Sequence, residues 1–177
     1  MTRSPSGRAS RQRIEVAVAN EQSALAVDEA RLRRAVRIAL AGTAVRRAVV
    51  SVAVVDDDTI HRLNRQYLDH DYATDVLSFA LDRSEDCLEG EVIVSADTAS
   101  AAAGRFGWSA ADELLLYVVH GVLHLAGYDD ILPRQRAEMR QRERTCLAHF
   151  GLDYRFDEAE DEDGQPSIDH LGGETQS

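Results

Sequence analysis

Apolar and polar residues alternate along "RIEVAVA" (13–19), the period of a strand with one buried face. The spacing then becomes helical. Val27, Leu32, Val36 and Leu40 in "VDEARLRRAVRIALAG" share one face, and Gly42 supplies a stop. "RRAVVSVAVV" is a β-branched run suited to a buried strand, and the Asp56–Asp58 cluster behind it can cap a helix running to about Tyr67. A polar loop, "LDHDYAT", leads to a short strand, "DVLSFAL"; a charged turn, "DRSEDCLEG", leads to another, "EVIVS". Three helices are expected after it. "ADTASAAAGRFG" is alanine-rich and ends at glycine, "SAADELLLYVVHGVLHLAG" opens with a Ser-x-x-Asp capping pattern, and "PRQRAEMRQRERTCLAHFG" has proline in its first turn. The pattern predicts an α/β (α+β) fold: a roughly four-stranded mixed sheet packed with about five helices.

The periodicity stops at both ends. Residues 1–11 read as a disordered basic arm and 153–177 as a disordered acidic tail, leaving a single domain over 12–152. A chain of 177 residues suits one such domain. No apolar stretch approaches the roughly 18 residues of a membrane span, and no apolar signal core follows the basic arm, so a non-membrane, cytoplasmic protein is expected. Cys87 and Cys146 alone offer no disulfide framework, in keeping with a reducing compartment.

A net charge of −11 argues at first against a nucleic-acid partner. The tail changes that picture. Residues 153–177 hold nine acids against the single Arg155, so the other 152 residues carry only −3. All 20 basic residues are arginine, a feature of base composition as readily as of phosphate recognition.

The stretch that carries chemistry is "HGVLHLAGYDD", residues 120–130, at the end of the most apolar helix. Residues four apart lie one above the other on a helix, so His120 and His124 can chelate one ion. Gly127 then lets the chain leave the helix with a positive φ, and Asp130 or Asp129 can return as a third ligand. Two imidazoles and a carboxylate leave a coordination position open, the arrangement of a catalytic zinc. The alternatives are a coincidental histidine pair and aspartates that cap the helix near Pro133. The apolar neighbours Val118, Val119, Leu123 and Leu125 weigh against coincidence, because unpartnered imidazoles are costly to bury. A metzincin-like metalloprotease would carry glutamate as general base after the first histidine; this chain has Gly121.

With these residues in view, the chain resembles the YbeY-type endoribonucleases and rRNA maturation factors of bacteria. Their signature His-Gly-x-Leu-His-Leu-x-Gly-Tyr-Asp-His is matched at every fixed position but the last. "LNRQYLDHDYATDVLSF" (63–79) and "GEVIVS" (90–95) resemble two further blocks of that family, and the likeness covers roughly residues 13–150. The resemblance implies a zinc-dependent, single-strand-specific endoribonuclease. It would act on rRNA, in late 16S rRNA 3′-end maturation and 70S ribosome quality control, beside the ribosome or small-subunit proteins. It implies one Zn2+ per chain, held by His120, His124 and Asp130, which act in catalysis through the metal-bound water.

Three departures stand out. Asp130 replaces the family's third histidine, and an anionic ligand leaves the ion less positive and its water less acidified. Leu68 replaces an arginine, for which Arg65, one turn earlier, is the available substitute; Ala73 replaces a proline. Asn64, Arg65, Thr74, Asp75 and Ser78 are the candidate substrate-binding or ligand-orienting residues, with turn, cap and surface roles as their plainer readings. His70 is the candidate proton shuttle. Arg31, Arg33, Arg34, Arg37, Arg134, Arg136 and Arg140 are candidate RNA contacts or simply solvated helix faces. The basic arm is expected to add weak, salt-sensitive RNA affinity and the acidic tail to repel RNA or dock on a basic ribosomal protein. The alternatives are a ribosome-assembly factor with a structural metal and weak nuclease activity and, less favoured, the metalloprotease.

Overall fold

The chain folds in the predicted order: β1 (Arg13–Asn20), α1 (Glu29–Leu40), β2 (Arg47–Val55), α2 (Asp57–Leu68), β3 (Val76–Arg83), β4 (Cys87–Ser95), α3 (Ala96–Ala102), α4 (Ala110–Leu125) and α5 (Pro133–Ala148). The computed structural model describes residues 12–154; the predicted arm and the predicted tail beyond Tyr154 lie outside them. The strands form one mixed sheet in the order β1-β2-β4-β3, with β1–β2 and β2–β4 parallel and β3–β4 antiparallel. The architecture is therefore α+β, with four strands and five helices among the described residues.

One face of β2 is buried along its length at Ala48, Val50, Val52 and Val54, while the other is exposed at Val49 and Ser51 and is covered only toward Val55, so the β-branched run "RRAVVSVAVV" conceals an alternation of burial. Val50, Val52 and Val54 of β2 and Val92 and Val94 of β4 join the main core with α1, α3, α4 and α5. Val55, Leu77 and Ile93 project from the other face onto Ile60 of α2, with Leu63 and Leu68 beside them. One segment departs from its sequence reading. The charged run 82–90 is mostly hairpin, with β3 continuing to Arg83 and β4 starting at Cys87 around the short connection 84–86. Antiparallel pairing through Asp82–Glu89 and Arg83–Leu88, after a register shift between Ala80 and Asp82, overrides a polar composition that costs little on an exposed hairpin end.

The element that positions the site is α4. Twelve of its sixteen residues are buried, so it is a core helix covered on nearly every side rather than an amphipathic surface one. It touches β3, β4, α1, α3 and α5. Its start is the predicted capping box: Ser109 Oγ accepts from the Asp112 amide (3.3 Å) and Asp112 Oδ2 accepts from the Ser109 amide (3.1 Å). Arg31 of α1 donates to the same carboxylate at 2.6 Å, fixing α1 against α4.

Burial of α4 carries one polar anomaly. Glu113 is fully buried and neither carboxylate oxygen has a hydrogen-bond partner among the described residues. Burial pushes its pKa up, partly offset by Arg105. An acid whose folded pKa lies above its unfolded value gives stability that is intact below about pH 4.5 and declines as pH rises toward the folded pKa. Replacing both oxygens with apolar atoms of similar volume should remove that decline. Glu113→Met is therefore expected to be more stable than the wild type at pH 8, by about 1–3 kcal/mol, with the gap closing near pH 4. Thermal melts at the two pH values check this, and a stability difference independent of pH would contradict it.

Candidate metal centre

The last turns of α4 bring His120 and His124 together with their Nε2 atoms 2.9 Å apart. The chain leaves the helix at Ala126, takes a φ of +98° at Gly127, and returns Asp130 to the same point. Asp130 Oδ2 lies 3.8 Å from His120 Nε2, and Oδ1 lies 3.8 Å from His124 Nε2. One donor atom from each of the three lies within 4.8 Å of the others. Two nitrogens about 2.05 Å from one tetrahedral ion stand about 3.3 Å apart, so the observed separations bracket what a shared ion needs. His120, His124 and Asp130 are thus able to hold a metal ion.

The turn separates the two aspartates. Asp129 Oδ1 accepts from the Asp130 amide (2.7 Å) and the Ile131 amide (3.3 Å), closing an Asx-type turn, whereas the Asp130 side chain faces the histidines. Arg136 Nε donates to the Asp130 carbonyl at 3.1 Å and holds the loop from the α5 side.

Charge favours a cation here. Burial raises the Asp130 carboxyl, with His120 pulling it back and Asp129 and Glu143 pushing it further up. Burial raises Asp75 as well, again opposed chiefly by His120. Burial alone depresses His120, but the Glu143 carboxylate, joined by Asp75 and Asp130, raises it. Such a group of carboxyls around two imidazoles holds protons in the absence of a cation and is neutralised by one.

Glu143 was not legible as a site residue. Its Oε1 lies 2.6 Å from His120 Nδ1, and the two side chains are 2% and 3% exposed, so His120 is held from behind by a buried carboxylate. The signal available in the sequence is the stripe Met139, Glu143, Cys146 and Leu147 at helical spacing, a carboxylate among the buried apolar positions of α5.

The upstream candidates divide. Ser78 Oγ donates to the Gly121 carbonyl at 3.1 Å and Asp75 feels the His120 imidazole, so both lie against the metal helix. Asn64 is buried and donates to the Tyr72 carbonyl (2.9 Å), tying α2 to the loop that follows it. Buried Thr74 donates to Asp75 Oδ1 (3.1 Å), which also accepts from the Val76 amide (2.8 Å). Arg65 is exposed, 3.9 Å from Asp71, and Leu68 packs into the α2-side cluster. The His70 ring stacks on Tyr72 at 5.4 Å. Of the candidate RNA-contacting arginines, Arg31 pairs with Asp112, Arg33 with Glu29 (2.7 Å) and Arg134 with Glu138 (3.2 Å), and Arg34 lies over the Phe150 ring.

Gly121 faces the sheet, not the metal point. A Cβ there would lie 2.7 Å from Val92 Cγ1, 2.9 Å from Ser78 Oγ and 3.0 Å from Val76 Cγ2. The position that carries a metalloprotease's general base is here a close approach between α4 and the β3–β4 pair.

Residues 17–151 match the family model described as Endoribonuclease YbeY. The chain belongs to the YbeY endoribonuclease family. The matched segment contains the two histidines, Asp130 and Glu143. A YbeY endoribonuclease of Pelotomaculum thermopropionicum is 40% identical over 150 residues, spanning 78% of this chain and 99% of that protein. One of Rhodopirellula baltica is 42% identical over 125 residues, spanning 70% of this chain and 63% of its own length. The solution structure of a Thermotoga maritima protein superposes with a TM-score of 0.53 at 25% identity, over 77% of this chain and 91% of that one. Like the apolar count, the fold has no helix among the described residues that is long and apolar enough to cross a membrane.

Proposed function

We propose that this YbeY-family chain is a zinc-dependent, single-strand-specific endoribonuclease that acts in the cytoplasm on rRNA, in late 16S rRNA 3′-end maturation and 70S ribosome quality control, beside small-subunit proteins. The observation that carries the chemistry is the convergence of His120, His124 and Asp130 on one point at the end of a buried helix. The donor set favours zinc, since two imidazole nitrogens and one carboxylate oxygen are its usual partners in open sites. Bound there, the ion supplies Lewis acidity to a phosphodiester.

The remaining work belongs to the chain. Glu143 keeps the Nδ1 side of His120 engaged, so that its Nε2 faces the ion. Ser78 ties β3 to the metal helix, and Asp75, just before β3, presents a half-buried carboxyl coupled to His120.

The test is elemental analysis of protein purified without chelator, together with cleavage of a single-stranded rRNA fragment. One zinc per chain with cleavage supports the proposal. Zinc without cleavage supports the second reading, a ribosome-assembly factor with a structural metal, which Leu68 favours by placing an apolar side chain where the family carries an arginine. Protease activity is disfavoured by the packing at Gly121.

Asp130→His supplies a further prediction. A neutral third ligand leaves more positive charge on the ion, so the variant is expected to retain zinc and to reach its maximal cleavage rate at lower pH than the wild type. A pH–rate profile measures this; an unchanged or alkaline-shifted profile would remove Asp130 from the ligand set.

A further inference from the structure

Behind the metal point lies a buried polar chain that ends outside the signature motif. His120 Nδ1 and Glu143 Oε1 are 2.6 Å apart across the α4–α5 contact. Tyr154, eleven residues beyond Glu143, turns back after α5, and its phenol is coupled to the same carboxylate, which together with burial raises its pKa. Its ring is 6% exposed and packs edge-on to Phe106 (5.4 Å, 89°) and against Trp108 (5.7 Å). Arg144 Nε donates to the Tyr154 carbonyl at 3.1 Å, fixing the backbone of the returning segment.

This order of groups has a direction. A carboxylate facing Nδ1 selects the tautomer with the proton on that nitrogen, which leaves the Nε2 lone pair directed at His124 and Asp130. A buried carboxylate with only one donor retains an uncompensated lone-pair demand, and the Tyr154 hydroxyl, coupled to Glu143, can supply a second donor. The residue that completes the arrangement lies in the stretch where the polar, acidic tail begins.

We infer that Glu143 and Tyr154 act as a positioning pair for the metal: Glu143 sets the tautomer and orientation of His120, Tyr154 holds Glu143, and the segment after α5 thereby contributes to metal affinity. This rests on the metal-site reading above. A purely structural role for the same contacts predicts lost stability without selective loss of zinc.

The experiment measures zinc affinity by chelator competition, melting temperature, and the His120 tautomer by 15N–1H correlation of the imidazole in metal-free protein. The variants are Glu143→Gln and Tyr154→Phe, with Leu147→Val as a buried control on the same helix. Glu143→Gln is expected to weaken zinc binding about 10–100-fold and to mix the His120 tautomers, and Tyr154→Phe to weaken it toward the lower end of about 10-fold. Leu147→Val is expected to lower the melting temperature with zinc affinity unchanged. Wild-type zinc affinity and a single tautomer in both polar variants would overturn the inference while leaving the metal site standing. So would a zinc loss no greater than that of Leu147→Val at matched stability. Failure of the wild type itself to bind zinc would overturn the metal reading and this inference with it.

Discussion

His124→Ala is expected to abolish zinc retention and lower RNA cleavage by more than about 100-fold, given that even residues behind a ligand are worth 10–100-fold, while the protein stays folded. His120→Ala should lose both properties and much of its stability as well. The difference lies in what each imidazole leaves behind. His120 is the partner of Glu143, whose carboxylate is 2% exposed, and removing one member of a buried pair costs about 3–5 kcal/mol. For a chain of this size that is roughly a 6–20 °C drop in melting temperature. His124 faces His120 Nε2 and Asp130 instead, so its removal empties the ligand set without stranding Glu143. Elemental analysis, a cleavage assay and a melt on each variant separate the two effects. One zinc per chain in folded His124→Ala would remove that residue from the site.

The order of elements was legible because each one's burial writes itself into its period. β1 alternates, β2 is a β-branched run with one face buried throughout and the other only toward Val55, and α4 is apolar almost throughout because five elements touch it. The hairpin after Leu81 was not, since "DRSEDCLEG" has the composition of a turn and becomes strand only through its partner. The site divides in the same way. His120 and His124 declare themselves through a local spacing of four, and Gly127 through the turn it permits. The choice of Asp130 over Asp129 depends on which carboxylate the turn consumes, a question of backbone geometry that adjacent identical residues hide. Glu143 and Tyr154 reach the site through tertiary packing of α5 and the segment behind it, 23 and 34 residues from His120, and only a carboxylate on an apolar stripe hinted at the first.

Gly121→Ala is expected to destabilise the protein by about 1–3 kcal/mol, the usual effect of overpacking a tight core. Gly121→Glu should prevent it from folding. Position 121 sits where α4 presses tightly on the sheet, and an added Cβ would meet Val92 Cγ1 at 2.7 Å, nearer than carbon atoms approach. That neighbour is a β-branched side chain on a central strand, held between β2 and β3, so relief requires moving α4 outward. Such a movement would carry His120 and His124 with it and break the Ser78–Gly121 hydrogen bond, so Gly121→Ala should weaken zinc binding as well as lower the melting temperature by roughly 2–12 °C. A glutamate adds five heavy atoms and a charge to a place that already crowds a single Cβ. Gly121→Glu that folds, or Gly121→Ala with an unchanged melt, would show that α4 does not pack as described. The outcome bears on chemistry as much as on stability. Two helical histidines four apart can serve a protease only if the residue after the first faces the substrate, and in this fold that residue is pinned against the sheet. Whatever moves protons here must come from outside α4's inner face, and Asp75, half-buried just before β3 and coupled to His120, is a carboxyl that this packing leaves in place.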